Sequence, residues 1–229
     1  MRELLLILLF LPMTAVSQQI LLEEPVSLLA LGDSYTIGES VTKSQRWPEL
    51  LIDSLSQRGV DCLAPHIIAA TGWRTDNLSS AIKKSKFKQD YNLVSLLIGV
   101  NNFYQQKPAE QYQAEFDALL KQAIELAGGD PARVFVLSIP DYGFTPFGQA
   151  NQPAITAGID AFNKINQAIS RKYQVAYIDI TDISRKGLED ASLIATDNLH
   201  PSGSMYAQWV TRILAHTAMP SRRREAQDH

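Results

Sequence analysis

The chain has 229 residues, of which 45% are hydrophobic, 20% charged and 8% aromatic, a balance that excludes disordered, collagen-like and disulfide-scaffold proteins. Lys and Arg total 21 against 24 for Asp and Glu, so the net charge of -3 offers no basic footprint for nucleic acid, and we expect no nucleic-acid partner. The length allows one or two domains, and we predict one.

The first 17 residues have the pattern of a signal peptide. Arg2 precedes an apolar run at 4–11, and Ala15-Val16-Ser17 is the small-x-small pattern at which such peptides are cleaved. A membrane anchor is the alternative, but the stretch 4–16 is shorter than the roughly 20 residues that span a hydrocarbon core. We therefore predict cleavage after Ser17, export to a periplasmic or extracellular location, and no stable membrane anchor in the mature chain.

Downstream of the signal peptide we predict a single domain over 18–220. It is followed by a polar tail at 221–229, which contains Arg222-Arg223-Arg224 and resembles a frayed terminus more than a binding patch. The one cysteine, Cys62, cannot form an internal disulfide and is expected to be a buried structural thiol. The sequence does not indicate an oligomeric state.

Short apolar runs alternate with helix-period segments after residue 25, which predicts repeated βα units around a parallel sheet. The apolar runs that predict buried strands lie at 26–31, 93–98, 134–139 and 175–180. A fifth and weaker run covers about residues 60–70 and is interrupted by Pro65. This alternation is typical of an α/β fold.

The clearest predicted helix begins near Pro108 and ends before Gly128-Gly129. Its apolar residues recur at helical spacing and are Tyr112, Phe116, Leu119, Leu120, Ala123 and Ala127. Similar stripes predict further helices over 47–55, 155–169 and 205–213.

Ligand-handling residues of an open parallel sheet gather beyond the carboxyl ends of its strands. Three predicted strands run into the segments 32–35, 71–73 and 99–102, and a late loop covers 197–202. These four segments bring a serine, a glycine, an asparagine and a histidine toward one edge of the sheet. We therefore expect the functional site at this edge.

The serine and the histidine predict nucleophilic catalysis. Ser34 begins a predicted helix, and His200 is the only histidine in a strand-end loop beside a helix start. Asp197, three residues earlier, is placed to accept the imidazole Nδ1–H and to hold the tautomer that takes the serine proton. Asp179, at the end of the fifth strand, is the alternative orienting carboxylate.

Three neutral donors are available for a tetrahedral oxyanion. They are the backbone N–H groups of Ser34 and Gly72 and the side-chain amide of Asn101. Glycine at position 72 permits a close backbone approach. We expect Asn102, the next residue, to support the loop.

Each segment alone also has a structural interpretation. Residues 32–34 form a common turn sequence, Gly72 suits a tight turn, the asparagines at 101–102 suit a helix cap, and 197–202 suits a capping loop with Pro201 at the first helical position. Because all four lie at the strand ends in this order, we favour the catalytic interpretation.

At these segments the sequence resembles the SGNH or GDSL family of serine esterases and lipases. Residues 32–39 resemble its nucleophile block, Gly72 its second block, 99–102 its third and 197–200 its last. The resemblance extends from residue 26 to about residue 214. It implies an α/β fold, a three-layer α/β/α sandwich with a flavodoxin-like five-stranded parallel sheet.

The resemblance also implies ester hydrolysis through an acyl-enzyme without a metal or other cofactor. Ser34 would be the nucleophile, His200 the base and then the acid, and Asp197 its orienting group. The third block departs from the family pattern because Asn102 stands where aspartate is usual. The segment 138–147 is similar to one in bacterial lysophospholipase-like members, so the expected enzyme is an exported bacterial esterase.

The substrate is expected to be a small-molecule ester with a small or lipid-like acyl group. A carbohydrate O-acetyl esterase using the same machinery is the main alternative, and a noncatalytic anion-binding domain of the same fold is a third. Candidate substrate-binding residues near the predicted site are Tyr35, Trp73, Asn102, Tyr142, Phe144 and Met205. The remaining histidines, His66, His216 and His229, are expected to lie outside the site.

Overall fold

The structure, a computed structural model, describes residues 18–87 and 90–218. The predicted signal peptide at 1–17 and the predicted tail at 221–229, which includes His229, lie outside the described residues. A short parallel pair, β1 (Ile20–Leu21) with β7 (Thr217–Ala218), joins the two ends of the described chain.

The main sheet has five parallel strands, which confirms the predicted flavodoxin-like arrangement. Its strands are β2 (Leu28–Gly32), β3 (His66–Ala69), β4 (Leu93–Leu97), β5 (Val134–Leu137) and β6 (Ala176–Ile178), in the spatial order β3-β2-β4-β5-β6. Every residue of β2, β4 and β5 is buried, because helices cover the sheet on both faces. The weak predicted strand at 60–70 is reduced to β3, which begins directly after Pro65.

Eight helices connect and cover these strands in the described part of the chain. They are α1 (Ser34–Ile37), α2 (Trp47–Ser56), α3 (Thr75–Lys84), α4 (Val100–Tyr104), α5 (Ala109–Leu126), α6 (Gln152–Lys172), α7 (Thr181–Ser184) and α8 (Gly203–Leu214). Helix α8 contacts α2 and α7 in one group, and α5 contacts α3 and α6 in another, which gives the predicted three layers.

The predicted helices are present with small changes at their ends. The loop before α8 is closed by Ser202, whose hydroxyl accepts a hydrogen bond from the Met205 backbone N–H at 3.3 Å. Pro201 forms an isolated β-bridge with Ile194, so it does not stand at the first helical position. Among the residues that the structure describes, no helix combines the length and the apolarity needed to cross a membrane.

The order of the strands creates the site. The chain leaves β2 and pairs next on one side as β3, then crosses to the other side as β4. A crevice forms where the direction of such connections reverses, beyond the carboxyl ends of the strands. The segments after β2, β3 and β4 therefore lie side by side at one edge.

Cys62 is half-buried, and its thiol donates a hydrogen bond to the Val60 carbonyl at 3.4 Å. Burial raises the pKa of this thiol, which keeps it protonated. The sequence predicts a buried thiol, and the structure shows one that is only half-buried.

Candidate active site

Ser34 opens α1 immediately after the buried strand β2. The side chain of Asp33 caps this helix by accepting a hydrogen bond from the Tyr35 backbone N–H at 3.1 Å, and Ser34 is 5% exposed at the wall of a pocket. Because α1 is a single turn, the helix dipole expected there is small. The local N–H groups therefore have to supply most of the attraction for negative charge.

His200 and Asp197 form a close pair. The imidazole Nδ1 lies 2.6 Å from Asp197 Oδ2, and the other carboxylate oxygen accepts hydrogen bonds from the backbone N–H groups of Leu199 and His200, each at 2.9 Å. The edge of the Tyr35 ring packs against the imidazole at a centroid distance of 5.7 Å. These contacts orient the ring so that Nδ1 faces the carboxylate and Nε2 is left as the proton acceptor.

The environment keeps Asp197 ionised. Partial burial raises its pKa, but hydrogen bonds from the Ser40 hydroxyl, from His200 and from the Leu199 backbone outweigh burial and hold the pKa well below its usual value. A carboxylate that remains charged at neutral pH is the form that stabilises an imidazolium.

Ser34 and His200 line the same pocket. A hydrogen bond between the Ser34 hydroxyl and His200 Nε2 is not among those formed by residues 18–87 and 90–218. In ligand-free sites this bond is often long and shortens only when substrate binds, so the arrangement is compatible with proton transfer.

Asp179, the alternative orienting carboxylate, is occupied elsewhere. Its Oδ1 accepts hydrogen bonds from the Ser138 hydroxyl and from the Thr181 backbone N–H, both at 2.9 Å. It thus holds the turn between β6 and α7, and it is not in the pocket wall with Ser34 and His200.

The expected oxyanion donors come together at the same pocket. Ser34, Gly72 and Asn101 all line it, and the backbone N–H groups of Ser34 and Gly72 donate to no backbone acceptor in the described chain. Gly72 has φ of 78°, where a side chain is disfavoured, although a Cβ at this position would meet nothing within 4 Å. Backbone conformation, and not crowding within the protein, therefore explains the glycine.

The Asn101 amide is anchored at one of its two N–H groups. Nδ2 donates to the Trp73 carbonyl at 2.9 Å, which ties this side chain to the loop that carries Gly72. An amide nitrogen has two hydrogens, so the second remains for an oxyanion.

Asn102 points into the protein and not into the pocket. It is 1% exposed, its Oδ1 accepts from the Thr75 N–H at 3.1 Å, and its Nδ2 donates to the Thr75 hydroxyl at 2.7 Å. That hydroxyl in turn donates to Glu115. Position 102 therefore has to supply a donor, which explains why asparagine stands where the family pattern has aspartate.

We expect Asn101→Ala to lower kcat by about 10² to 10³ with little change in KM, because it deletes a donor that acts mainly on the transition state. Asn102→Asp should instead reduce the free energy of unfolding by about 1 to 3 kcal/mol. The Thr75 hydroxyl already donates its hydrogen to Glu115, so an aspartate oxygen at position 102 would be a buried acceptor facing another acceptor. Steady-state kinetics and urea unfolding of both variants check this division. A larger loss of kcat at Asn102 than at Asn101 would contradict it.

The pocket has a volume of about 200 Å³ and an apolar wall. Of the candidate substrate-binding residues, Tyr35 and Tyr142 line it. Residues that line it but were not singled out from the sequence are Thr71, Val100, Tyr104, Phe147 and Leu199. Thr71, Val100 and Leu199 directly precede Gly72, Asn101 and His200, so adjacency to the motif residues was the available signal.

Four expected pocket residues lie elsewhere in the structure. Asn102 is buried as described above, and Trp73 packs against the core while its carbonyl holds Asn101. Met205 is 1% exposed and lines a smaller cavity behind Tyr35 and Leu199. Phe144 is half-buried in a 3-10 turn and is not in the pocket wall.

Asp33 is a fully buried carboxyl beside Ser34. Its Oδ2 has no hydrogen-bond partner in the described part of the protein. Burial raises its pKa to about 7, while the hydrogen bond from the Tyr35 N–H acts in the opposite direction. Between its unfolded pKa near 4 and about 7, the folded chain binds the proton more tightly, so the stability that this group contributes falls as pH rises through that window.

We expect Asp33→Asn to flatten the pH dependence of stability between pH 4 and 7, because the amide keeps the cap and cannot ionise. The decrease in the free energy of unfolding that Asp33 causes over this range, and that the variant abolishes, is at most about 4 kcal/mol. Urea unfolding at several pH values measures it, with Asp53→Asn on the exposed face of α2 as the matched control. Parallel curves for the original protein and Asp33→Asn would show that Asp33 does not titrate in this range.

The other described histidines lie away from the pocket. His66 Nδ1 contacts the Tyr91 hydroxyl, and His216 Nδ1 contacts the Arg212 carbonyl at 2.9 Å. Within residues 18–87 and 90–218, no group of three or more His, Cys, Asp or Glu side chains is arranged to hold a metal ion.

The chain matches the model of the GDSL-like lipase/acylhydrolase family over residues 30–208. No curated protein is similar enough in sequence to count as a match. Three similar solved structures illustrate the fold. TesA has 17% identity, a TM-score of 0.66, and coverage of 83% of this chain and 97% of its own.

The acetylxylan esterase Axe2 from Geobacillus stearothermophilus has 18% identity, a TM-score of 0.66, and coverage of 86% and 98%. A lipase/acylhydrolase from Enterococcus faecalis has 18% identity, a TM-score of 0.65, and coverage of 83% and 94%. At these identities the structures establish the common fold, and the family match establishes the class of protein.

Proposed function

The chain belongs to the GDSL-like lipase/acylhydrolase family, and from this premise we propose that it hydrolyses carboxylic esters with lipid-like acyl chains through an acyl-enzyme on Ser34. The observation that carries the proposal is the 2.6 Å contact between His200 Nδ1 and Asp197 Oδ2 at the pocket that also holds Ser34, Gly72 and Asn101. A noncatalytic anion-binding domain does not require this pair.

In the first half of the reaction, Ser34 Oγ attacks the ester carbonyl carbon and His200 Nε2 takes the serine proton. The carbonyl oxygen becomes an oxyanion facing the N–H groups of Ser34, Gly72 and Asn101. When the intermediate collapses, the bond to the alcohol oxygen breaks and His200 returns the proton to that oxygen. The alcohol leaves, and the acyl group remains on Ser34.

In the second half, water takes the place of the serine hydroxyl. His200 accepts a proton from water as the water oxygen attacks the acyl carbonyl, and the same donors hold the oxyanion. Collapse releases the carboxylic acid and returns the proton to Ser34. Asp197 orients and stabilises the imidazolium in both halves without becoming protonated.

The choice of a lipid-like acyl chain rests on three aromatic rings at the rim of the pocket. The centroids of Tyr104, Tyr142 and Phe147 lie 6.3 to 6.5 Å from one another. Tyr104 is 57% and Phe147 52% exposed, so with Tyr142 they form a contiguous aromatic patch open to solvent, and contiguous apolar patches mark binding sites.

The same three rings form one wall of a second groove of about 360 Å³. The other residues that line the groove are Phe103, Gln106, Gly148, Asn151 and Ile155, so none of its lining residues is charged. A hydrocarbon chain needs no polar partner, whereas a sugar needs several and a phosphate needs a cation. A chain that starts at Ser34 can thus pass over the rings and continue into this uncharged groove.

The test is a series of p-nitrophenyl esters from acetyl to decanoyl, used below their aggregation concentrations. Each buried methylene contributes about 0.8 kcal/mol, which sets a ceiling of roughly fourfold in kcat/KM per carbon, and we expect at least a tenfold rise from acetyl to octanoyl. Asn151→Trp, at a helix start where the side chain makes no capping bond, should remove the advantage of the longer chains and leave acetyl turnover unchanged.

Gln113→Trp, on the exposed face of α5, is the matched control and should leave the series unaltered. If acetylated xylooligosaccharides are hydrolysed far faster than every acyl ester, the carbohydrate O-acetyl esterase is the correct function. Absence of turnover with all of these substrates would favour the noncatalytic domain.

The predicted signal peptide supports export of the mature enzyme to the periplasm or the exterior of a bacterial cell, and we include that location in the proposal. A protease-protection assay on cells that express the full chain tests it. An exported protein is found in the medium or is cut once the outer membrane alone is opened, whereas a chain retained in the cytoplasm stays protected until the inner membrane is opened and would contradict the proposed location.

A further inference from the structure

Ser40 occupies a backbone conformation that serine rarely adopts. It lies just beyond α1, and its φ is 65°, in the left-handed region. In that region a residue other than glycine needs support from its surroundings, and such residues cluster at functional sites. The side chain of Ser40 therefore has to be considered together with its contacts.

The Ser40 hydroxyl donates to Asp197 Oδ2 at 2.6 Å. The same carboxylate oxygen faces His200 Nδ1, also at 2.6 Å. One oxygen thus accepts a hydrogen bond from the Ser40 hydroxyl and another from the imidazole N–H. The backbone N–H groups of Leu199 and His200 hold the other oxygen, Oδ1, so Ser40 is the residue besides His200 whose hydrogen bond fixes Oδ2 in the described chain.

The neighbouring residue holds a second part of the site. The Glu39 carboxylate accepts a hydrogen bond from the Thr71 hydroxyl, and Thr71 directly precedes Gly72. Two adjacent residues thus connect the segment after the nucleophile to the Asp197 loop and to the oxyanion loop. Ser40 is the member whose contact leads directly to the base.

We infer that Ser40 is a positioning residue that holds the Asp197 carboxylate for His200, so that it extends the series Ser34, His200 and Asp197 by a fourth side chain. The inference rests on the proposed function, because it assigns Ser40 a part in the same reaction. Ser40 acts through Asp197 and does not touch the reacting atoms.

Removing the Ser40 hydroxyl frees Asp197 Oδ2 on one side, which makes its alignment with His200 less exact and slows the reaction. The backbone N–H groups of Leu199 and His200 still hold Oδ1, so the carboxylate stays beside the imidazole and, with one donor fewer, its charge acts more strongly on the imidazolium. The protonated histidine is then favoured, and the acidic limb of the kcat/KM profile moves to higher pH. Other titratable or charged groups facing this region are Asp33, Glu39, Arg46, Tyr35 and Tyr206. Burial first, and nearby carboxylates second, keep the pKa values of the two tyrosines well above their usual range, so they remain neutral.

The main variant is Ser40→Gly, because glycine adopts a positive φ without strain and the change removes only the hydroxyl contact. We expect kcat to fall about tenfold, KM to change less than about twofold, and the acidic limb to rise by about half a pH unit. Profiles are recorded in the Asp33→Asn background as well, because Asp33 titrates in the same range.

Gln174→Gly is the matched control, since Gln174 has φ of 58° and lies on the surface beyond α6. It should leave kcat and the pH profile as they are. Ser40→Thr retains the hydroxyl on a backbone that suits threonine poorly, so it should be less stable than Ser40→Gly and yet faster. A purely structural role for Ser40 predicts the opposite order of activities.

The double variant with Asp197→Asn completes the test. If Ser40 acts through Asp197, adding Ser40→Gly to Asp197→Asn costs less than about twofold. Unchanged kcat and pH limb in Ser40→Gly, an equal loss in Gln174→Gly, or a full additional loss in the double variant would each overturn the inference.

Failure of the proposed function can be told apart from failure of this inference. If the protein hydrolyses no ester, NMR titration of the His200 ring in the original protein and in Ser40→Gly still reports the effect. A midpoint that moves upward in Ser40→Gly supports the inference. Identical titrations reject it.

Discussion

Ser34→Ala is expected to lower kcat/KM for an activated ester by about 10⁵ or more while the fold stays intact. In the proposed mechanism the hydroxyl oxygen is the attacking atom, and alanine removes only that oxygen. The Asp33 cap and the backbone N–H of residue 34 remain, so α1 and its oxyanion donor are retained. Residual turnover should reflect only the oxyanion donors and substrate binding.

Steady-state kinetics measure the loss. A free energy of unfolding within about 1 kcal/mol of that of the original protein, measured by thermal denaturation, shows that the fold is unaffected. Ser80→Ala, at an exposed position of α3, is the matched control and should have full activity. If Ser34→Ala keeps most of kcat, the serine-nucleophile mechanism is wrong.

His200→Ala should be nearly as severe, because no other pocket-lining residue in the described part of the chain is a histidine, carboxylate or lysine that could take the serine proton. Residues that act as a unit give losses that do not add. The kcat of the double variant Ser34→Ala/His200→Ala should therefore lie within about threefold of the kcat of either single variant. His216→Ala is the control, since its Nδ1 bonds to the Arg212 carbonyl in the last turn of α8 and the residue does not line the pocket.

Two outcomes would contradict the assignment of His200. One is a double variant far slower than both single variants, which would mean that the residues act independently. The other is a His200→Ala enzyme that retains a substantial fraction of kcat. Either result would direct attention to another base near Ser34.

The sheet was predictable because its strands are buried on both faces. A run such as 93–98, apolar except for Ser95, has to be buried in a protein of this composition, and the segments that follow these runs contain turn or cap residues. Real strands are shorter than the runs, since β6 has three residues where the run has six. The ends of apolar runs pack into the core beyond the hydrogen-bonded ladder.

The positions of Ser34, Gly72 and Asn101 were predictable from a topological rule. Residues that follow neighbouring parallel strands must meet at one edge, whatever their separation in the sequence. This rule places backbone segments and not side chains. It therefore brought Asn101 and Asn102 equally close to the site, and the structure separates them.

The remaining features depend on contacts between distant segments. The proton donated by Thr75 to Glu115 decides what position 102 must offer, and nothing near Asn102 in the sequence shows it. Tyr104 and Phe147 meet across a loop, so neither has a local periodicity that marks it as a pocket residue. The left-handed backbone of Ser40 is likewise imposed by the loop around it.

Covalent labelling tests the central claim most directly. A fluorophosphonate reacts with a serine hydroxyl only where a base and an oxyanion site activate it, and digestion with mass spectrometry locates the adduct. We predict stoichiometric labelling of folded protein at Ser34, no labelling of Ser34→Ala, and strongly slowed labelling of His200→Ala. Absence of an adduct at Ser34 in folded protein, or an adduct at another serine, would contradict the account.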